Sequence, residues 1–372
     1  MKYISEFRDP RLADGILRAI RDAADPARHY ALMEFCGGHT HVISRCGFED
    51  ILPANIRLIH GPGCPVCVLP TGRFDNAVEL AVEKKATLCT YADTMRVPAS
   101  HGASLLKAKA EGADIRMVYS ATDALNIARK EPDKEVVFFA IGFETTMPAT
   151  AVIAEKALTE GLKNFSILCC HVLTPPAMRH ILSAENGVRI DGFIGPAHVS
   201  TVIGSRSYEE FALNYRKPVV IAGFEPLDLL EAVLMLVRQI NAGIARVENE
   251  FTRAVDRDGN PIALELCRRV FEVRENFVWR GLGNIPRSAL KLSEKYAELD
   301  AEKRFGLVFR DVPDKKVCEC GAVLRGEKSP EDCRAFAVAC TPEYPIGSCM
   351  VSSEGACAAR FLHRRNSIRR SK

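Results

Sequence analysis

The chain of 372 residues is long enough for two or three domains. Its 50 Lys and Arg residues are nearly balanced by 47 Asp and Glu residues, and the net charge of +3 argues against an extended nucleic-acid-binding surface. No apolar run approaches the roughly 18 residues of a membrane-spanning helix, and the opening sequence MKYISEFRDP lacks the apolar segment of a signal peptide. We therefore expect a cytoplasmic protein without a membrane partner, in which 14 cysteines indicate metal or redox chemistry rather than structural disulfides.

A helical pattern within residues 1–28 opens the chain, and from residue 29 apolar stretches typical of β-strands alternate with stretches of helical periodicity. The predicted strands are 30–35, 56–59, 86–91, 115–119, 135–141, 165–170, 192–194 and 218–222. The predicted helices are 73–84, 102–111, 121–128, 150–159 and 227–244. Such alternation predicts βαβ units and a mostly parallel sheet.

A weak internal repeat suggests that this α/β region has two similar halves. Strands that end in Gly-Pro occur at 61–62 and 195–196, and strands that run into Gly-containing polar loops occur at 34–41 and 141–148. Chance similarity among strand-to-loop junctions is the alternative explanation.

We therefore predict a first α/β domain over 29–121 and a second over 122–240. The end of the chain differs from both, because 318–360 contains six cysteines and little periodicity. We predict that this segment is a small metal-stabilised module within a third domain, which combines 1–28 with 241–372.

The first cysteine group follows the first predicted strand, in the sequence EFCGGHTH at 34–41. The two glycines after Cys36 allow the backbone to approach a ligand closely, and His39 and His41 place imidazoles near the thiol. Such a group can bind a borderline metal such as iron, or it can activate Cys36 as a nucleophile. A buried cysteine beside surface histidines is the alternative.

The second group is the Cys64-Pro-Val-Cys67 sequence. Two cysteines at this spacing at the start of a helix or turn can cycle between a dithiol and a disulfide. Half of a zinc site, completed by Cys36 or His60, is the alternative, although no second closely spaced cysteine pair lies in this part of the chain.

The third group is the cysteine-rich end of the chain. Four of its thiolates can hold a [4Fe–4S] cluster or a structural zinc ion. The spacing matches neither the compact run of bacterial ferredoxins nor two Cys-x-x-Cys knuckles, and by itself it does not select four ligands from six. The six are Cys318, Cys320, Cys333, Cys340, Cys349 and Cys357.

Several polar residues follow predicted strands at the edge where open α/β sheets bind ligands. We predict that they face this edge, although Asp93 and Glu225 could instead cap a helix. They are Asp93, Glu144, Thr145, Thr146, His198 and Glu225.

Five segments together resemble one protein family. They are EFCGGHTH at 34–41, GPGCPVCVLP at 61–70, GFETTMP at 142–148, GPAHVS at 195–200 and AGFEPLD at 222–228. These motifs are long and specific, and with the opening sequence and the cysteine-rich end they resemble the HypD family of hydrogenase maturation factors over essentially the whole chain. Ala197 stands where glycine is expected in this family, a change between small residues.

The resemblance implies a metallocofactor assembly scaffold with redox activity, which builds the Fe(CN)₂CO unit of [NiFe]-hydrogenases. It implies two Rossmann-like parallel-sheet halves facing a cleft, plus a C-terminal iron–sulfur module. It also implies iron binding at Cys36, with His39 as a ligand or proton handler, and a redox-active Cys64/Cys67 pair as in ferredoxin:thioredoxin reductase. The implied partners are a small HypC-type chaperone and a HypE-type cyanide donor.

The resemblance also selects among the six C-terminal cysteines. The cluster ligands in this family follow a Cys-x14-Cys-x6-Cys-x16-Cys pattern, which here implies Cys318, Cys333, Cys340 and Cys357. Cys320 and Cys349 would then be additional thiols. A thiol–disulfide oxidoreductase is the alternative function, because it would use the same cysteine pair and cluster, but it leaves the CGGHTH sequence unexplained.

Overall fold

The computed structural model describes residues 5–184 and 187–370, so that the first four residues of the MKYISEFRDP opening lie outside the described part. The strands are β1 (Tyr30–Glu34), β2 (Ile56–His60), β3 (Thr87–Thr90), β4 (Ile115–Met117), β5 (Val136–Gly142), β6 (Phe165–His171), β7 (Gly192–Gly195), β8 (Val219–Ile221), β9 (Val247–Asn249), β10 (Phe271–Val273), β11 (Asn276–Trp279), β12 (Gly283–Pro286) and β13 (Leu290–Leu292). The eight strands predicted over 30–222 correspond to β1 to β8, with ends that differ by no more than two residues.

The helices follow the same alternation. They are α1 (Pro10–Ala23), α2 (Gly37–Cys46), α3 (Phe48–Ile51), α4 (Pro65–Val68), α5 (Thr71–Val82), α6 (Leu105–Ala110), α7 (Ala121–Lys130), α8 (Met147–Thr159), α9 (Thr174–Leu182), α10 (Ala197–Ile203), α11 (Glu209–Tyr215), α12 (Pro226–Asn241), α13 (Pro261–Val270), α14 (Ala301–Phe305), α15 (Cys320–Leu324) and α16 (Ala356–Arg370). Among the described residues, no helix is both long and apolar enough to cross a membrane.

Two parallel sheets form the centre of the fold. The first sheet has the strand order β2-β1-β7-β8-β9, and the second has the order β4-β3-β5-β6. Every neighbouring pair within these sheets is parallel, and helices make the crossover connections that parallel neighbours require. The predicted fold class, with two Rossmann-like α/β halves and a cysteine-rich C-terminal segment, is thus confirmed.

The two sheets do not divide the chain at residue 121. The first sheet combines β1 and β2 with β7, β8 and β9, whereas the second consists of β3 to β6, which are consecutive in the chain. The chain therefore leaves the first sheet after α5 and returns to it after α9. This exchange depends on β1 pairing with both β2 and β7, a long-range contact that local patterns do not encode.

Apolar packing surrounds both sheets. Every residue of β5 and β6 is buried, as expected for parallel strands that are covered on both faces. α1 packs on α12 beside the first sheet, whereas β13 and α14 pack on β6 of the second. Parts of 1–28 and 241–372, which we predicted to share a third domain, thus pack on different sheets.

The cysteine-rich segment, 318–360, lies beside the loops that follow the strands. α16, which begins at the end of this segment, packs along α2, and the turn Ser348–Met350 within the segment packs on α4. Arg96, in the loop after β3, anchors the segment to the second sheet. Its guanidinium donates hydrogen bonds to the backbone oxygens of Pro342 and Val351, at 3.1 and 2.9 Å. All three cysteine groups are therefore on the same side of the fold.

Candidate functional site

A cavity of about 460 Å³ lies between the two sheets, at the carboxyl ends of their strands. This edge is where open α/β sheets bind ligands. The lining residues are Phe35, Cys36, Gly63, Pro65, Val66, Tyr91, Asp93, Thr94, Tyr119, Ile141, Gly142, Phe143, Thr145, Thr146, His198, Val199, Ser352, Ser353 and Glu354. Both sheets and the cysteine-rich segment thus contribute to one cleft.

Cys36 is the residue that precedes α2, and it lines the cleft. The backbone N–H groups of Gly38 and His39 donate hydrogen bonds to its sulfur. Burial raises the pKa of Cys36 to about 12, and the nearby carboxyl of Glu354 adds to the increase. The free thiol is therefore protonated near neutral pH, and a metal ion would bind by displacing its proton.

The two glycines after Cys36 are required by packing within the protein. A side chain at Gly37 would collide with the side chain of Glu354, and a side chain at Gly38 would collide with the ring of Phe224. The sequence interpretation, in which these glycines let the backbone approach a ligand, therefore does not account for the space that Glu354 and Phe224 occupy. The glycines allow Glu354, from the cysteine-rich segment, to lie directly on the Cys36 loop.

A buried carboxylate holds this loop in place. Glu34, the last residue of β1, accepts hydrogen bonds from the backbone N–H of Cys36 (2.8 Å), from Nδ1 of His60 (2.9 Å) and from the hydroxyl of Thr40. Because Glu34 is fully buried, its carboxylate depends on these donors. His60 is thus hydrogen-bonded to Glu34, which argues against the use of His60 as a zinc ligand.

The two histidines of the CGGHTH sequence are not among the residues that line the cleft. His39 is fully buried, and its Nε2 donates to the backbone oxygens of Ala222 and Gly223, at 3.0 and 3.1 Å. Burial lowers the pKa of His39, so its ring is neutral. His41 packs against His363 of α16, with ring centroids 4.6 Å apart. Through its two hydrogen bonds, His39 connects α2 with the loop that follows β8.

Cys64 and Cys67 are joined by a disulfide across the single turn of α4. On one side of this pair, Gly63 packs so closely on the backbone of Cys36 that a side chain would not fit. On the other side, the hydroxyl of Ser348 donates to the backbone oxygen of Cys67 at 2.9 Å. The pair therefore lies between the cleft and the cysteine-rich segment.

Five cysteine side chains of the cysteine-rich segment line a second cavity. They are Cys318, Cys320, Cys333, Cys340 and Cys357. The four implied cluster ligands thus lie together, and Cys320, which we expected to be an additional thiol, lies among them. Cys349 is buried but does not line this cavity.

The chemistry of these residues fits an iron–sulfur cluster. Thiolates are the ligands of such clusters, and each iron takes its own thiolate, so that the ligands surround a cavity rather than one point. The remaining lining is apolar and includes Val323, Phe336 and Met350. In 5–184 and 187–370, no three His, Cys, Asp or Glu side chains are arranged around a single metal-ion position.

Most of the polar residues predicted at the strand ends do line the cleft. These are Asp93, Thr145, Thr146 and His198. The ring of His198 packs on that of Phe224, with centroids 4.2 Å apart, and burial lowers the pKa of His198. The cleft lining thus includes a neutral imidazole.

Two predicted residues are used elsewhere. Glu225 caps α12 and forms an ion pair with Arg8. Glu144 is buried, and its carboxyl accepts hydrogen bonds from the backbone N–H and the hydroxyl of Thr174, at 2.8 and 2.9 Å. Neither side chain lines the cleft.

Two carboxylates beside Cys36 are absent from the predicted site. Glu34 has a local signal, because a charged residue within an apolar strand is unusual and needs buried partners. Glu354 lies in a polar run between Cys349 and Cys357, and no local signal connects it with Cys36. Burial raises the pKa of Glu354, and the nearby carboxyls of Asp93 and Glu34 add to the increase.

Comparison with known proteins identifies the family. Residues 11–364 match the family model described as HypD: Hydrogenase formation hypA family. The chain belongs to the HypD family. Proteins named Hydrogenase maturation factor HypD from Cupriavidus necator, Rhizobium leguminosarum bv. viciae and Escherichia coli strain K12 are 62%, 60% and 44% identical to it over 370 residues. These alignments cover 98% of this chain and 98%, 96% and 98% of the three relatives.

The resemblance to the HypD family is therefore confirmed, and the function of the chain lies in hydrogenase maturation. Four of the five motif segments supply residues that line the cleft, namely 34–41, 61–70, 142–148 and 195–200. The fifth supports them, because Gly223 accepts a hydrogen bond from His39 and Phe224 packs on His198. The motifs of this HypD-family chain thus converge on one cavity.

Replacing Glu144 by glutamine should remove a pH dependence of stability. Burial raises the pKa of Glu144 from its usual 4.5 to about 7, so the folded protein binds more protons than the unfolded chain between these values. The contribution of Glu144 to the free energy of unfolding of the wild type should therefore fall as the pH rises through this range, by at most about 3 kcal/mol. Urea unfolding at about pH 4.5 and about pH 8 measures the difference.

The glutamine variant should lack this contribution, because its amide does not titrate. Glu155→Gln, which changes a side chain of α8 paired with Arg269, is the matched control and should retain the wild-type dependence. An equal pH dependence in Glu144→Gln and the wild type would contradict the expectation.

Proposed function

We propose that this chain is a scaffold for assembling the Fe(CN)₂CO unit of [NiFe]-hydrogenases, with the substrate iron held by Cys36. One observation carries the proposal: three cysteine groups from different parts of the sequence are connected by successive contacts in the folded chain. Cys36 packs on Gly63, the Cys64–Cys67 pair comes next, and Ser348 connects this pair with the cysteine-rich segment. Met350 follows in the same turn and lines the cavity of five thiols. This arrangement would bring the iron-binding thiol of Cys36 close to a source of reducing equivalents.

Cys36 offers the substrate iron a soft thiolate donor. Cyanide and CO are strong-field ligands that favour low-spin Fe(II), so the iron must be kept reduced while it acquires them. The hydrogen bonds from the N–H groups of Gly38 and His39 stabilise the thiolate once its proton is displaced. The Nε2 of His39 is hydrogen-bonded to the loop after β8. His39 therefore contributes to iron binding by orienting α2 and the thiol of Cys36.

The walls of the cleft suit a small reactive metal fragment. Phe35, Val66 and Ile141 provide apolar surface, which limits the water around the iron. His198 adds a neutral imidazole to the lining of the same cleft. Glu354 of the cysteine-rich segment lies on the Cys36 loop and lines the cleft, so this segment takes part in the cleft directly.

The implied ligands of a [4Fe–4S] cluster are Cys318, Cys333, Cys340 and Cys357, all of which line the second cavity. Such a cluster would supply electrons one at a time beside the disulfide. Reduction of the Cys64–Cys67 bond consumes two electrons and two protons and yields two thiols.

The proposal includes two partner proteins, a small HypC-type chaperone and a HypE-type cyanide donor. One thiolate from Cys36 leaves other coordination positions of the iron for cyanide, CO and a donor from a partner. The side chain of Tyr119 is 87% exposed at the cleft, and aromatic residues of this kind are frequent in binding surfaces. A partner that covers the cleft would therefore meet both sheets and the cysteine-rich segment.

Infrared spectroscopy tests this function. The protein, purified without oxygen together with a HypC-type partner from cells that make hydrogenase, should show the stretching bands of metal-bound CO and cyanide. A thiol–disulfide oxidoreductase would show no such bands and would reduce a protein disulfide instead. Membership of a hydrogenase maturation family does not favour that alternative. Absence of both bands would overturn the scaffold proposal.

The Cys64–Cys67 pair should be a disulfide after mild oxidation and two thiols after reduction. The two sulfurs are bonded across one helical turn, so no change of fold is needed to form the bond. Alkylation after denaturation, followed by mass spectrometry, should find both residues unmodified in the oxidised sample and modified in the reduced one. Cys169 and Cys170, free thiols within β6, are the internal control and should be modified in both samples. Modification of Cys64 and Cys67 in the oxidised sample would exclude the pair from electron transfer.

A further inference from the structure

The second cavity has one thiol more than a [4Fe–4S] cluster requires. Five cysteine side chains line it, whereas each of the four irons takes one thiolate from the protein. The surplus lies in one place, because a single residue separates Cys318 from Cys320, their thiols are hydrogen-bonded to each other, and both sulfurs lie against Gly347. The other three thiols come from separate parts of the segment, at Cys333, Cys340 and Cys357.

Gly347 shows how closely the two sulfurs approach one another. A side chain at this position would collide with the sulfur of Cys318 and with the sulfur of Cys320. Both thiols therefore lie over the same short stretch of backbone. Two sulfurs in this position reach the same corner of the cavity, so they compete for one iron rather than bind two.

The two cysteines differ in the backbone that carries them. Cys320 is the first residue of α15, it is buried, and its thiol is also hydrogen-bonded to Cys357. Cys318 is half-buried in the irregular chain before the helix, where its N–H bonds to the backbone oxygen of Lys315. A ligand on irregular chain near solvent can move toward an iron or away from it more easily than a ligand within a helix.

We propose that Cys318 and Cys320 are interchangeable ligands of one iron of the cluster, with Cys333, Cys340 and Cys357 as the constant ligands. The inference rests on the cluster of the proposed function. In the exchange, one iron–sulfur bond forms while the other breaks, and the incoming thiol passes its proton to the departing thiolate. The iron keeps its oxidation state. The protein can thus lose one bond to this iron and still retain the cluster.

Three variants of the full-length protein test the exchange: Cys318→Ala, Cys320→Ala and the double variant. Iron and acid-labile sulfide per chain are measured after reconstitution without oxygen, together with the electron paramagnetic resonance spectrum of the reduced cluster. Each single variant should retain the wild-type iron and sulfide content, and the double variant should lose both. At least one single variant should show an altered spectrum, because the ligand of one iron has changed.

Cys320→Ala and the double variant share the same truncation at the start of α15, so the difference between them isolates the contribution of Cys318. Cys320→Ser, which keeps the size of the side chain, replaces the alanine variant if that protein does not fold. Cys349→Ala is the matched control, because it removes a buried thiol of the same segment outside the cavity lining.

Loss of iron and sulfide in one single variant as complete as in the double variant would overturn the exchange, since the ligand set would then be fixed. Retention of the cluster in the double variant would also overturn it, because the fourth ligand would come from elsewhere. Either result leaves the presence of the cluster in the proposed function intact and concerns only which residues are its ligands. Wild-type protein without iron and sulfide would overturn the cluster assignment and the exchange together.

Discussion

Replacing Cys36 by serine should abolish the CO and cyanide infrared bands of the protein purified with its HypC-type partner, and with them hydrogenase maturation. Serine keeps the size of the side chain but replaces a soft sulfur with a hydroxyl, which is a hard donor and does not ionise near neutral pH. The fold should persist, because Glu34 holds this residue through the backbone N–H. Infrared spectroscopy measures the bands, and iron and sulfide analysis should find the [4Fe–4S] cluster unchanged.

Cys46→Ser is the matched control for this variant. Cys46 is a free, half-buried cysteine at the end of the same helix, and it does not line the cleft. This control should therefore retain both bands. Bands of wild-type intensity in Cys36→Ser would contradict the assignment and would mean that the iron is held by Cys64 or Cys67. His39→Ala should weaken the bands without removing them, because His39 orients the loop.

Replacing Cys333 by alanine should remove the cluster and loosen the cysteine-rich segment. The surplus thiol does not compensate, because Cys318 and Cys320 reach a different corner of the cavity. Folding of a small cysteine-rich segment is coupled to the metal that it binds, so 318–360 should become more accessible to protease once the cluster is lost. Iron and sulfide analysis, the loss of the brown colour and limited proteolysis measure these effects.

The same measurements on Cys349→Ala show whether the effect depends on the ligand position. This variant removes a buried thiol from the same segment, and the thiol does not line the cavity. It should keep the cluster and the protease resistance of the wild type. Full iron and sulfide content in Cys333→Ala would show that the assigned ligand set is wrong.

The strands and most helices could be predicted because their signals are local. A buried parallel strand is a continuous apolar run, and all seven residues of Val136–Gly142 are buried. Helix ends were less accurate. α8 begins at Met147, three residues before the predicted start, because Pro148 fits the first turn of a helix, where its missing N–H is not needed.

Strand order could not be predicted in the same way. β1 pairs on one side with β2, its neighbour in the sequence, and on the other side with β7, which follows the whole of the second sheet. Nothing in a single strand specifies the neighbour on its far edge, because the backbone groups that pair are the same in every residue except proline. A division of the chain into contiguous halves therefore did not match the sheets.

Part of the cleft lining could also be predicted from local sequence signals. Cys36, Asp93 and His198 line the cleft because they follow parallel strands, whose carboxyl ends meet at one edge. The same rule placed Glu144 there, yet this carboxyl is buried and bonds to Thr174. A position after a strand indicates the edge of the sheet, but the direction of the side chain depends on which donors are nearby.

The family, the alternation of strands and helices and the three cysteine groups can all be recognised in the amino-acid sequence, because residue types, spacings and periodicities are properties of neighbouring positions. Which of these groups come into contact is visible only in the folded protein. The tertiary structure places Glu354 against the Cys36 loop, Ser348 against Cys67 and Cys320 among the implied cluster ligands. Each of these contacts joins or arranges segments whose approach depends on how helices and sheets pack and on which polar groups must find partners when buried. Short-range sequence patterns do not encode that packing.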